Sequence, residues 1–553
     1  MRAWRLKAGL VGGIAATSFV LFACGTDESG TCSDTLTCAG DDASTGMEAG
    51  ADGPTTLDGA ADASHHDGGA DGGDAMEGDS DIADTMVDVW DGYDGFTCDP
   101  SQDPMSEPCV IADGYGVFVA ASGDDTNGTG TMEHPYKTLG KAVGSLGTVR
   151  RVYACADGAA YNEQLTISAQ VDLFGGFSCA NNVWAYTGTA SKLTASSPAF
   201  GLKVDAGSQV VNIEDFEVDG ANATGGGTSV TVWLNASTAV TLKRVTVTGG
   251  TGDTGAMGAN GSATPNYTGA IAPAAMNAST VFGGLVDPNS CTDTSASSGG
   301  PGGSASGDGT GGTPAYTPAD PAGDTGAGGM TSGACAGIGT GQDGSYGPAG
   351  TAGAAVTASG VFTLATNTWS PAPGAAGGNG GPGQGGGGGA GKAGSGGGGG
   401  GAGGCGGTGG GGGTAGGASF AVLAVNSPAL LDHVTVNGAA AGVGGPGGPA
   451  VQGQGGAAHG NGTGVACSGG NGAPGGGGGG GGGGTGGLSV ALAYVGTSPT
   501  VGTASTVTPY ATAAGGGAGG TAGAAPGGVG IPGATGSAGT IGQALASLAI
   551  PTQ

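Results

Sequence analysis

The sequence predicts an all-β chain of stacked coils, and three observations carry that expectation. Residues 213–220 (IEDFEVDG), 242–249 (LKRVTVTG) and 431–438 (LDHVTVNG) share one pattern: apolar, two polar, apolar, spacer, valine, spacer, glycine. Within each, the two-residue alternation sets Phe216 with Val218, Val245 with Val247, and Val434 with Val436 on one side of a half-buried strand. A strand pattern that returns after a turn is the mark of a stacked repeat.

Composition bounds the rest. With 137 glycines in 553 residues and only 10% charged residues, much of the chain is low in complexity and a minority of segments must supply the core. The net charge of -30 arises from 42 acids against 12 scattered bases. Nucleic acid is excluded as a partner, because neutralising phosphates needs clustered Lys and Arg.

Residues 1–23 read as a targeting segment. Arg2, Arg5 and Lys7 precede an apolar run over 8–23 that is too short for a membrane span. The run ends in LFAC, with Cys24 last, which resembles the lipobox of bacterial lipoproteins. The resemblance implies cleavage before Cys24, lipidation of that cysteine and a membrane as partner through the anchor. Gly25 after it implies the outer membrane of a Gram-negative envelope. An ordinary secretory signal is the alternative. The cysteine count agrees with a lipid on Cys24, because eleven is odd and removing one leaves ten. In order they are Cys32, Cys38, Cys98, Cys109, Cys155, Cys179, Cys291, Cys335, Cys405 and Cys467. That order permits five local disulfides between successive cysteines in an oxidising compartment. No C-x2-C pair is present and His is rare, so no metal site is expected.

From Gly25 to Thr97 there are nineteen acids and no Lys or Arg. Such a segment buries too little apolar surface to offset chain entropy, so residues 24–97 read as a disordered acidic tether spanning about 45 Å. Its aspartates do not follow the spacing of a calcium-binding loop.

Folded sequence begins near Cys98. After Gly116 come a short strand, a Gly/Asp/Asn turn, Pro135, a short helix over 138–143 and the strand-like VRRVYACA and LTI. Ser122, Gly123, Asp125, Asn127, Gly128, Thr129, Pro135, Tyr136, Thr138, Leu139 and Ala142, then Tyr161, Glu163, Leu165 and Ile167, make residues 117–177 resemble the start of pectate-lyase-like proteins. The resemblance implies a right-handed parallel β-helix, and it marks fold more than activity. Strand patterns follow at 200–204, 210–218, 230–234 and 240–247, giving an N-terminal part over 98–250. A glycine-rich insertion fills 251–418, interrupted weakly at 361–364. Coils resume over 419–510 around a second insertion at 438–487, and 511–553 is a glycine-rich tail.

Aligning SVTVWLN with SFAVLAV and SVALAYV gives units of two strands, each followed by glycine. The glycine arms therefore leave from equivalent corners of successive coils and emerge side by side, at the roughly 4.8 Å spacing of stacked strands. Flexible arms are the default, because glycine has the most backbone freedom to lose. Against that default stand two strict three-residue runs, Gly374, Gly377, Gly380, Gly383, Gly386, Gly389 and Gly527, Gly530, Gly533, Gly536, Gly539, Gly542. A period of three places glycine along one face of a polyproline-II-like helix and lets neighbours hydrogen-bond closely. The tracts are similar to those of the PE-PGRS group of glycine-rich bacterial surface proteins.

Chemistry is sparse. The pectate-lyase resemblance implies carboxylates that bind Ca2+ and a Lys or Arg as base. The candidates are Asp215, Glu217 and Asp219, placed outward by alternation, with Lys243 and Arg244 one coil later. The rival reading, favoured here, is an ordinary cross-strand ion pair between Asp215 and Arg244. His134 and His433 read as turn or surface residues, and Phe118, Phe174, Phe177 and Trp184 as core. Trp233 fits either core or a sugar subsite. The expectation is a non-enzymatic surface lipoprotein without cofactor, with structural, adhesive or carbohydrate-binding work and extracellular polysaccharide or other envelope proteins as partners. The alternative is a polysaccharide-lyase-like enzyme, the one case calling for Ca2+.

Overall fold

The computed structural model describes residues 98–262, 272–317, 323–358, 360–363 and 368–551. The targeting segment, Cys24, Cys32, Cys38 and the acidic tether lie outside the described residues. Among the described residues the protein is almost all β, and no helix is long and apolar enough to cross a membrane.

The chain enters through β1 (Gly116–Val119) and the short α1 (Leu139–Gly144). It then passes β2 (Arg151–Cys155), β3 (Tyr161–Glu163), β4 (Leu165–Ile167), β5 (Val171–Ser178), β6 (Ala185–Tyr186), β7 (Ser191–Ala195) and β8 (Leu202–Val204). Next come β9 (Val210–Glu214), β10 (Phe216–Asp219), β11 (Ser229–Asn235), β12 (Ala239–Lys243) and β13 (Thr246–Thr248). The glycine-rich stretch that follows contains the small antiparallel pairs β14 (Asn289–Ser290) with β15 (Ala296–Ser297) and β16 (Val361–Thr363) with β17 (Thr368–Ser370). The remainder is β18 (Ser419–Val425), β19 (Leu430–Asp432), β20 (Thr435–Asn437), β21 (Leu488–Val495), β22 (Thr500–Val501), β23 (Thr506–Thr508) and β24 (Gln543–Ala549).

These strands form three parallel sheets. The first runs β1-β2-β5-β9-β12-β19-β22 with β6 added antiparallel to β5, the second β3-β7-β10-β13-β20-β23, and the third β4-β8-β11-β18-β21-β24. From β2 onward the chain visits first, second and third sheet in rotation. Register then stacks like on like. Val117, Val152, Leu173, Ile213, Leu242, Leu431 and Val501 form one column. Tyr161, Leu193, Val218, Val247, Val436 and Val507 form another in the second sheet. Burial of the β-branched and leucyl side chains of these columns as far as Leu431 and Val436 is a large stabilising term, each worth about 1.5–3 kcal/mol.

Each repeat proves to be three strands rather than two. The polar pair inside IEDFEVDG, LKRVTVTG and LDHVTVNG is a corner: Asp215, Arg244 and His433 all adopt a left-handed backbone, with φ of 59°, 52° and 54°. What alternation reads as one strand over 210–218 or 240–247 is therefore broken at that residue, with the halves in the first and second sheets. The expected tail over 511–553 also ends in structure, because QALASLA adds β24 to the third sheet.

The residues that carry the family resemblance build the entry end. The Asp125 carboxylate accepts from the backbone N–H of Lys137 and Thr138 and from the Thr138 hydroxyl. Thr138 caps α1, and Glu163 accepts from the N–H groups of Leu139 and Gly140. These carboxylates satisfy donors that a helix start leaves without partners. They hold the start of α1 beside β3 and the turn after β1.

The glycine-rich stretches all connect the second sheet to the third, after β13, β20 and β23. They are hydrogen-bonded to one another in a regular array, so the flexible-arm default is overturned. Gly374, Gly377, Gly380, Gly383, Gly386 and Gly389 donate in turn to the carbonyls of Gly413, Gly410, Gly407, Gly404, Gly401 and Gly398. The break in the period at Lys392 is the reversal between these two antiparallel segments, where Lys392 and Ser395 bridge and Ala393 turns left-handed. In the other expected run, Gly533, Gly536 and Gly539 donate to Gly523, Gly520 and Gly517, whereas Gly527 and Gly530 lie in a turn with positive φ.

At the centre lies the near-continuous glycine run 475–486. Gly475, Gly478, Gly481 and Gly484 donate to residues 445–454; Gly476, Gly479 and Gly482 donate to 375–381; Gly477, Gly480 and Gly483 donate to 531–537. Its carbonyls accept from 350–353, 407–413 and 517–523. All three residues of every turn thus face a neighbour, and six segments surround this one. A helix with partners all round has room for glycine only, and an outer helix needs it once per turn. That rule explains why the sequence alternates between pure glycine and Gly-x-x.

Candidate functional site

The sequence-selected charges come together on the corner between the first and second sheets. Register places Glu214 beside Lys243 on adjacent strands, and the left-handed corners at Asp215 and Arg244 aim those two side chains at each other. Arg244 Nε lies 2.7 Å from Asp215 Oδ1, and its terminal nitrogen lies 2.8 Å from both Asp215 Oδ2 and Glu214 Oε2. Lys243 Nζ lies 3.1 Å from Glu214 and 2.8 Å from Asp103. Asp215 is not on an outward strand face as alternation suggests; it is 5% exposed, because the corner turns it inward against Arg244. Glu217 and Asp219 sit apart from it and share Lys192, at 2.9 and 2.6 Å.

Charge states follow from these contacts. The bidentate hydrogen bonds that Arg244 donates to the Asp215 carboxylate push the guanidinium further up from its already high value. Burial, reinforced by the neighbouring Asp103 carboxyl, pushes Glu214 up. Burial also acts to raise Asp103, but hydrogen bonds from Lys243 and the Met105 N–H outweigh it and hold Asp103 at about 2. Because that folded value lies below the ordinary 3.8, the stabilisation it carries is complete above about pH 4 and is lost as pH falls through about 2. Glu214 has the opposite sign, contributing less as pH rises through its folded value. We expect the denaturation midpoint of Asp103→Asn to fall less between pH 4 and pH 2 than that of the unsubstituted chain. Parallel profiles would show that Asp103 is not the linked group.

Sequence reasoning misses Asp103, Lys192 and Glu214. Asp103 belongs to the loop closed by the Cys98–Cys109 disulfide, which lies against the outer face of the first sheet. Arg151 donates to the carbonyls of Pro100 and Gln102, and the Tyr153 hydroxyl donates to Val110 O. A polar pocket of about 320 Å³ remains between loop and sheet, lined by Gln102, Arg150, Arg151, Asp172, Asn212 and Glu214 among others. On its sheet side Asn212 donates to its register neighbour Asp172 at 2.7 Å. The one available signal for Glu214 is its place directly before Asp215, one coil from Lys243.

Phe118, Phe174, Phe177 and Trp184 pack together with Tyr153, as expected of core. Trp233 is half-buried on the outer side of the third sheet, with Lys203 Nζ 4.8 Å from the ring centroid and Phe200 edge-on. His433 is an exposed corner residue. Among the described residues, the groups with metal-ligand geometry are Cys98, Glu107, Cys109 and Cys155, Asp157, Cys179, and the sulfurs of both are joined in disulfides.

Cys98–Cys109 and Cys155–Cys179 are the neighbours-in-sequence pairs. The other four described cysteines do not pair with their neighbours in sequence. Cys291 bonds Cys405 and Cys335 bonds Cys467, because the glycine-rich segments fold back and bring distant stretches side by side. Comparison with family models, curated proteins and solved structures finds no match for the chain.

Proposed function

We propose that this is a non-catalytic lipoprotein of the bacterial cell envelope, anchored through Cys24 and tethered by the acidic segment 24–97. In this reading the three rotating sheets are the coils of a right-handed parallel β-helix, and the glycine arms are a polyglycine bundle packed along one flank. Its work is structural or adhesive, with extracellular polysaccharide or another envelope protein as partner. The observation that carries the reading is the closed ion-pair cluster. A lyase base must give up its proton, yet Arg244 is bound by Asp215 and Glu214 and Lys243 by Glu214 and Asp103. This supports a structural role for the charges over the polysaccharide-lyase alternative.

The test uses the full chain. Palmitate labelling that disappears in Cys24→Ser, together with envelope fractionation, is expected. Incubation with calcium and polygalacturonate or alginate is expected to leave the unsaturated-product absorbance flat while a glycan array reports any binding. A steady rise in that absorbance would replace the reading with the enzyme.

A further inference from the structure

We infer that the chain forms a closed two-fold homodimer through the last rung of its three sheets, the edge made by β22, β23 and β24. The two ends of the stack differ. At the first end the outer side of β1 is satisfied, since Phe118 N–H donates to Gly130 O, and Tyr136 O accepts from Ala120 while its N–H donates to Phe118 O. There α1 also covers the core, with Leu139 and Ala142 buried. At the last end, among the described residues, no strand pairs with the far side of β22, β23 or β24.

Ile550 N–H donates to Tyr494 O, which fixes the phase of the final strand. Strand residues point their backbone groups alternately to either side, so Gln543, Leu545, Ser547 and Ala549 direct theirs away from β21. The core columns end here too. Leu165, Leu202, Val232, Val422 and Leu492 terminate on Ser547, and Val501 is 42% exposed. An edge with free hydrogen-bonding groups and exposed apolar side chains pairs readily unless charges block it.

Here nothing blocks it. From His433 to Gln553 the chain contains no Asp, Glu, Lys or Arg, within a protein of net charge -30. A second copy is therefore the fitting occupant, because at this end two such acidic chains approach without like-charge repulsion. A two-fold axis through β24 sets it antiparallel to its counterpart. Since β1 is already hydrogen-bonded on its outer side and α1 covers the core at that end, the two ends do not match, head-to-tail growth is disfavoured and assembly stops at two.

Sedimentation velocity on the full chain carrying Cys24→Ser, which keeps lipid-driven association out of the measurement, tests this. A species of twice the chain mass that dissociates on dilution is expected. Ser547→Lys with Ala549→Lys should leave only monomer with an unchanged circular dichroism spectrum, whereas Thr126→Lys at the closed end should leave the dimer intact. A monomer at every concentration up to about 100 µM, a dimer that survives the two β24 lysines, or an open-ended series of oligomers would each overturn the inference.

Discussion

Replacing both Cys291 and Cys405 by Ala lowers the stability of the glycine-rich part by about 4–5 kcal/mol, the chain-entropy value for a closed loop of roughly 100 residues. The bond joins residues 114 apart, and both cysteines are nearly buried. Around it the Asn289 side chain donates to Gly403 O and Gln454 Oε1, and Gln454 Oε1 also accepts from the Cys405 N–H. Loss of the crosslink releases that buried network as well. Removing Cys98 and Cys109, only 11 residues apart, should have the smaller effect of about 3 kcal/mol and act on the entry loop alone. Denaturant titration of the two double variants, with hydrogen exchange to locate the change, checks the ranking. Equal losses would mean that the long crosslink adds nothing beyond its local contacts.

Gly481→Ala is expected to destabilise the array by about 4 kcal/mol, from overpacking plus the loss of one or two hydrogen bonds. A Cβ at Gly481 would stand 1.9 Å from Gly411 O, a backbone atom held in its own helix, so no side chain can move aside. The two segments must separate, which breaks or strains the bonds that join them there, from Gly410 N–H to Gly479 O and from Gly413 N–H to Gly482 O. At Gly515 the same added carbon meets only a valine methyl at 3.9 Å, and Gly515→Ala should be close to neutral. Hydrogen exchange over 475–486 gives the decisive reading. Slow exchange comparable to β13 is expected in the unsubstituted chain and fast exchange in Gly481→Ala; uniformly fast exchange in both would remove the array.

Parts of this architecture are legible in the sequence for a physical reason. Valine and leucine at alternate positions report a buried face directly, so the residue pattern alone reveals the columns through Val218, Val247 and Val436. Corners are not legible in this way, because Asp215, Arg244 and His433 share only polarity, which an outward strand position would show equally; only their left-handed backbone shows that the strand has ended. Strands as short as β7, whose SKLTA carries one large apolar side chain, also escape pattern reading. The pairing of Asp215 with Arg244 is readable from their 29-residue offset, one coil apart. Asp103 is not, since it approaches Lys243 from a loop 140 residues away. Disulfide partners fail on the same ground: sequence proximity is a poor guide where long segments double back.

From Gly475 to Gly484 the central run has no side chains, and that changes how this part of the protein responds to temperature. Unfolding an ordinary core exposes apolar surface and raises the heat capacity by about 12–15 cal/mol/K per residue, whereas exposed peptide groups lower it. Around residues 475–486 almost everything uncovered on unfolding is peptide. Stability there derives from hydrogen bonding rather than from the ordering of water, so its curve against temperature is shallow. Cooling, which weakens apolar cores, leaves such an array largely as it was.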